Sequence, residues 1–138
     1  MNRYLIAACG LALLTGVMAS NARAADKADR LFEMRTYTAN DGKFQDLHKR
    51  FRDHTNKLFV KHGMELIGYW VPAEGPESEN TLIYILAYPN REARERSWKA
   101  FQADPEWHKA RDASEVGGKL VKKVDIKYLN PTDYSPIK

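Results

Sequence analysis

Leu31 to Thr38 alternates with a two-residue period, Phe32, Met34, Thr36 and Thr38 on one side and Leu31, Glu33, Arg35 and Tyr37 on the other. Successive strand side chains point to opposite faces, so this stretch predicts a half-buried strand. The spacing then changes to three and four: Phe44, Leu47, Phe51, Leu58 and Phe59 fall on one stripe of a helix running to about His62. Asn40-Asp41-Gly42 supplies turn and capping chemistry before it, and Gly63 closes it. Residues 64–71 and 81–88, rich in Ile, Leu, Tyr and Trp, predict two more strands joined by the Gly- and Pro-containing loop 72–80.

Pro89 stops the third strand and Asn90 suits the N-cap of a second helix, with Trp98 and Phe101 on its buried side. Glu92 and Arg96, and Glu95 and Lys99, are spaced for i,i+4 pairs with the acid first. Asp104-Pro105 then fits the N-cap and first position of a new helical segment, since proline has no N–H to lose there. Gly117-Gly118 ends it, and residues 120–129 predict the last strand, with Val124, Ile126 and Tyr128 alternating against Lys123, Asp125 and Lys127. The order βαββαβ predicts a ferredoxin-like α+β fold, with both helices on one face of an antiparallel sheet. The expected open face carries Glu33, Arg35 and Tyr37 together with Tyr69, Trp70, Tyr84 and Tyr88. So many aromatics need cover, and a second sheet packed on the first would supply it.

Residues 1–24 have the parts of a secretory signal: Arg3, an apolar run from Tyr4 to Met18, and Ala22-Arg23-Ala24 as a small-residue cleavage site. The run is shorter than the roughly 20 residues that span a bilayer, and Gly10 and Gly16 interrupt it. The expected mature chain begins at Ala25, is periplasmic or secreted and keeps no membrane anchor. It has a flexible lead-in over residues 25–30 and one domain over 31–138. A mitochondrial presequence would be amphipathic and Arg-rich, which this leader is not. Cys9, the one cysteine, lies within the leader, so the mature chain can form no disulfide and has no thiol nucleophile. Loss of Arg3 and Arg23 takes the formal net charge from +4 to +2, too balanced to imply nucleic acid.

No nucleophile constellation, Walker loop, dinucleotide fingerprint or zinc motif stands in the sequence, so no cofactor and no metal are expected. His48, His54 and His62 share the first helix without an i,i+4 pair, which argues against a ligand set. His62 sits where it can complement the helix end, His48 near the stripe is a core-edge residue, and His108 follows a helix start. His54, at the stripe's edge, either faces the helix–sheet cleft as a proton shuttle or is a satisfied half-buried imidazole. Arg35 on a central strand needs an acid, an aromatic face or an anionic ligand. Glu33, two residues away on the same face, is its obvious partner, with ligand binding as the other reading. Tyr37 offers a phenol beside it. Trp70, Trp98 and Trp107 are read as core or interface anchors.

Three segments, Leu31 to Tyr37, Asn90 to Arg111 with its Asp104-Pro105-Glu106-Trp107 helix start, and Asn130 to Pro136, resemble the NIPSNAP family in that order across nearly the whole mature chain. The resemblance implies a ferredoxin-like unit that dimerises into an α+β barrel, with no single chemistry attached. Relatives of that family are often mitochondrial, and the leader here argues against that address. The leading functional expectation is an exported homodimer that binds a small apolar or aromatic molecule, or a protein partner. A cofactor-free oxygenase- or isomerase-like enzyme is the alternative by fold analogy, and a non-catalytic interaction module is the third. The expected ligand site gathers Arg35, Tyr37 and His54, with Tyr69, Trp70 and Tyr84 lining it. Arginine and imidazole together suit an anionic or carbonyl-bearing molecule.

Overall fold

The structure is a computed structural model that describes residues 30–138. The leader and its cleavage site fall outside the described residues. Four strands, β1 (Leu31–Ala39), β2 (Glu65–Trp70), β3 (Thr81–Tyr88) and β4 (Val121–Leu129), form one antiparallel sheet in the order β2-β3-β1-β4. Helix α1 covers residues 44–61, α2 is Arg91–Ala103 and α3 is Pro105–Ser114. All three lie on one side of the sheet, giving the predicted ferredoxin-like α+β architecture, the subunit fold from which dimeric α+β barrels are built.

The helix boundaries follow their local chemistry. Asn90 Oδ1 accepts the Ala93 N–H at 2.8 Å and caps α2, and Asp104 Oδ1 does the same for the Glu106 N–H of α3, with Pro105 at the first position. At the end of α1, Gly63 takes φ 76° and the Met64 N–H returns to the Phe59 carbonyl at 3.0 Å. The start of α1 departs from expectation. Asn40 does not cap it; its side-chain amide instead donates to the Lys119 carbonyl at 2.8 Å and ties the turn to the chain entering β4. The expected pairs Glu92–Arg96 and Glu95–Lys99 are also absent among the described residues, Glu95 meeting Arg94 at 3.2 Å instead.

The sharing of faces along β1 is as predicted, but the covered face is the opposite one. Leu31, Glu33, Arg35 and Tyr37, with Leu82, Tyr84, Leu86 and Tyr88 of β3, lie beneath the helices and pack with Leu47, Phe51, Phe59, Trp98 and Phe101. Alternation reports which side chains share a face; it does not say which layer covers them. The bulky rings belong to the helix side because they fill the deep space between helix and sheet. Tyr69 and Trp70, grouped together above, are neighbours in one strand and so part company: Tyr69 stacks on Tyr84 at 5.5 Å inside, while Trp70 stands on the other face, 50% exposed. Its indole lies back over Gly68, where an added Cβ would come within 2.6 Å of the ring.

The outer face is therefore mixed, aliphatic along β1 to β3 with Phe32 and Trp70, and charged along β4, where Lys123, Asp125 and Lys127 stand exposed opposite Thr38, Thr36 and Met34. Met34, Thr36, Ile67, Ile83 and Ile85 are half-buried there without helices over them. The tail past β4 covers one end, where Pro131 and Ile137 meet Phe32, Ile67 and Ile85 around a cavity of about 350 Å³. Arg30, the last residue of the expected lead-in, is held: it pairs with Glu65 and donates to the Lys138 carbonyl at 2.6 Å.

Candidate functional site

Glu33 is fully buried on β1 and collects donors from three elements. Arg35 Nη1 gives 2.8 Å, Arg94 Nε and Nη2 from α2 form a two-point clamp at 2.9 and 3.0 Å, Trp98 Nε1 gives 2.9 Å and the Tyr88 hydroxyl of β3 gives 3.1 Å. Burial by itself would raise the Glu33 pKa, but the Arg94 hydrogen bonds, the charges of Arg35 and Arg94, and the Trp98 bond outweigh it and hold the carboxyl below 4.5. Burial raises the Tyr88 phenol well above its ordinary range, and the neighbouring Glu33 charge adds to the rise.

The Glu33–Arg35 ion pair is thus present, and Arg35 keeps more capacity than the pair uses. Its guanidinium lies 4.2 Å from the Trp98 ring centroid and 5.6 Å from that of Tyr37. Burial opposes its charge, yet Tyr84, Tyr37 and Glu33 together raise its pKa further, so it stays charged. Nη1 serves Glu33, and Nε is sealed from water without a partner. Among the described residues Nη2 has no hydrogen-bond partner, and it is not sealed.

That residue and Tyr37 line a cleft of about 220 Å³ between the sheet and the helices. Its walls include Phe51, Phe59, Trp98 and Trp107, and its polar lining adds Arg50, Thr55, Gln102, Arg111 and Glu115. The cleft opens toward β4 because the helices leave Val124, Ile126 and Tyr128 about 40% exposed on their side of the sheet.

His54 does not join Arg35 and Tyr37. Residues Phe51–Thr55 of α1 are π-helical, the Asn56 N–H reaching back to the Phe51 carbonyl, and this wider turn advances fewer degrees per residue than an α-helix. Thr55 therefore comes under Phe51 and faces the cleft, while His54 swings outward, is exposed, and lines a separate groove with Lys43, Asp46, Lys49 and Asp53. The other expected lining residues divide too. Tyr69 and Trp70 border another cavity of about 250 Å³ beside His48, and Tyr84 is sealed in the core. The Tyr84 phenol lies beside Tyr37 without hydrogen-bond geometry, and burial raises its pKa far above the ordinary range.

The remaining histidines take structural places. His62 Nε2 lies 2.7 Å from Asp104 Oδ2, which Lys61 also meets at 2.8 Å, so the end of α1 is tied to the start of α3. Hydrogen bonds from Lys61, His62 and the Glu106 N–H hold the Asp104 carboxyl well below the usual carboxylate range. His48 packs on Phe44 at 4.4 Å, and burial, with Arg52 nearby, lowers its pKa. His108 is exposed.

Arg50, Trp107 and Glu115 also line the cleft, beyond the residues that the sequence points to. Arg50 is 5% exposed, donates to Glu115 Oε1 at 2.9 Å and Ser114 Oγ at 3.3 Å, and lies 5.2 Å from the Trp107 ring centroid. A signal existed, because Arg50 sits three residues after Leu47 on the apolar stripe, where a charge needs a reason.

A ferredoxin-like α+β domain with an arginine-floored, indole-walled helix–sheet cleft is what fold and geometry define. The NIPSNAP family model matches residues 32–136, and the chain belongs to that family. Among solved structures it is similar to a NIPSNAP family protein with unknown function from Agrobacterium tumefaciens, with 24% identity, 80% of this chain and 96% of that one covered, and a TM-score of 0.70. A second NIPSNAP family protein from that organism has 27% identity, 79% and 99% coverage and a TM-score of 0.68. SnoaB, a cofactor-independent oxygenase from Streptomyces nogalater, shares the fold alone, at 15% identity, 79% and 99% coverage and a TM-score of 0.54. A search of curated proteins gave no match.

Proposed function

We propose that this chain is an exported NIPSNAP-family homodimer that binds a small, largely apolar or aromatic molecule in the helix–sheet cleft, with an anionic or carbonyl oxygen directed at Arg35 and the phenol of Tyr37 nearby. The observation that carries the reading is Arg35 itself: a nearly buried guanidinium, fixed on Glu33 and Trp98, with Nη2 unpaired and unsealed on a residue that lines an aromatic-walled cleft. Small-molecule sites have this composition, apolar walls with a few placed polar groups. Binding is preferred to proton-transfer catalysis because the titratable imidazole expected to complete the site, His54, lines another groove. The proposed dimer joins two subunits through the outer face of β1, β2 and β3, whose half-buried isoleucines would otherwise border water.

Native mass spectrometry of the purified protein, searching for a small molecule that co-purifies, tests the binding reading. Arg35→Met is expected to lose that molecule while the protein remains folded by circular dichroism. Retention of the molecule by a folded Arg35→Met variant would move the site elsewhere.

A further inference from the structure

We propose that Arg50 is the second arm of a carboxylate clamp opposite Arg35, so that the ligand class is an aromatic or apolar monocarboxylate; this rests on reading the cleft as a small-molecule site. The two arginines line the cleft from different layers, Arg35 from the central strand β1 and Arg50 from α1, where Arg50 also borders the groove beside His54. Their residues are 9% and 5% exposed. Each gives Nη1 to a carboxylate, Arg35 to Glu33 Oε1 at 2.8 Å and Arg50 to Glu115 Oε1 at 2.9 Å. Each has an indole beside its plane, Trp98 at 4.2 Å and Trp107 at 5.2 Å. In each, among the described residues, Nε is buried without a partner, and Nη2 has no hydrogen bond and is not sealed. Both side chains are thus held at one corner and supported on one flank, with a donor group to spare.

Two fixed guanidinium corners suit a carboxylate better than a neutral carbonyl. A carboxylate brings two charged acceptor oxygens, one for each arm, whereas an amide or ester brings one uncharged carbonyl. The cleft lining holds Arg35, Arg50 and Arg111 against Glu115, with Arg111 paired outside it to Asp112 at 2.8 Å. Glu33 does not cancel Arg35 outright, because Arg94 shares it. The π-helical turn that begins directly after Arg50 contributes, bringing Thr55 inward so that its hydroxyl takes up the Arg50 carbonyl at 3.3 Å. A volume of about 220 Å³ matches roughly seven waters at ~30 Å³ each, the scale of a one- or two-ring acid.

The test titrates the protein with benzoate and 2-naphthoate and with the matched amides, benzamide and 2-naphthamide, by calorimetry and by heteronuclear NMR of the tryptophan indole N–H signals. The acids are expected to bind about 10-fold or more tightly than the amides, as two charge-assisted contacts replace neutral ones, and to shift Trp98 and Trp107. Arg50→Gln should bring acid affinity down to amide affinity, and Arg50→Lys should fall between. Equal affinity of acid and amide in the parent protein overturns the clamp but leaves the cleft as a site. Absence of binding by all four, or shifts confined to other residues, overturns both readings. Should Arg50→Gln fail to fold, the acid-to-amide ratio of the parent protein and its decline with added salt decide the question alone.

Discussion

With Glu33 replaced by glutamine, Arg35 and Arg94 would keep their surroundings and lose the charge that compensates them. Breaking a buried ion pair by removing one partner costs about 3–5 kcal/mol, and Glu33 is fully buried with two cationic partners, so Glu33→Gln is expected to lower unfolding free energy by about that amount in urea denaturation. The pH dependence follows from direction. The Glu33 carboxyl lies below its ordinary 4.5 in the folded protein, so its contribution is complete above that value and fades as pH falls through the folded pKa. Stability of the parent protein should drop as acid is added below pH 4.5, and the glutamine variant should show a smaller drop there. The Glu33–Arg35 pair was legible in the sequence because two charges sharing one face of a strand have few other options. Arg94 and Trp98 were not legible as its partners, since nothing in a helix sequence says which sheet residue it will cross.

At the scale of elements, strands and helices were legible to within a residue or two because period two, three-and-four spacing, Asn90 and Asp104-Pro105 all act locally. Replacing Asn90 by alanine removes the acceptor of the Ala93 N–H, and thermal or urea unfolding is expected to register a loss of about 1 kcal/mol. Illegible were the features that depend on packing between elements. The π-helical turn of α1 exchanges His54 for Thr55 at the cleft, and its five residues carry no Pro or Gly to announce it. The covered face of the sheet was likewise misassigned, because strand alternation is symmetric until a helix takes one side.

For the whole molecule, the proposed dimer and export lead to separate measurements. A negative charge on the part of the outer face that the tail leaves uncovered, Ile83→Glu, should convert a dimer at micromolar concentration to a folded monomer in sedimentation experiments, whereas a parent protein that sediments as a monomer would remove the case for a barrel. Intact mass of protein from the extracytoplasmic fraction is expected to place the N-terminus at Ala25; a full-length chain integrated in membrane would exclude it.

The carboxylate shared among β1, β3 and α2 also constrains which neighbouring sequences can be reached one substitution at a time. Glu33→Leu alone strands the Arg35 guanidinium and leaves Arg94, among the described residues, only its ion pair with Glu95, and Arg35→Leu alone leaves the acid with a weaker set of donors. A route to an apolar centre therefore passes through a less stable intermediate whichever residue changes first. The double variant Glu33→Leu with Arg35→Leu is expected to be more stable than Glu33→Leu alone, a positive epistasis that a double-mutant cycle would read directly.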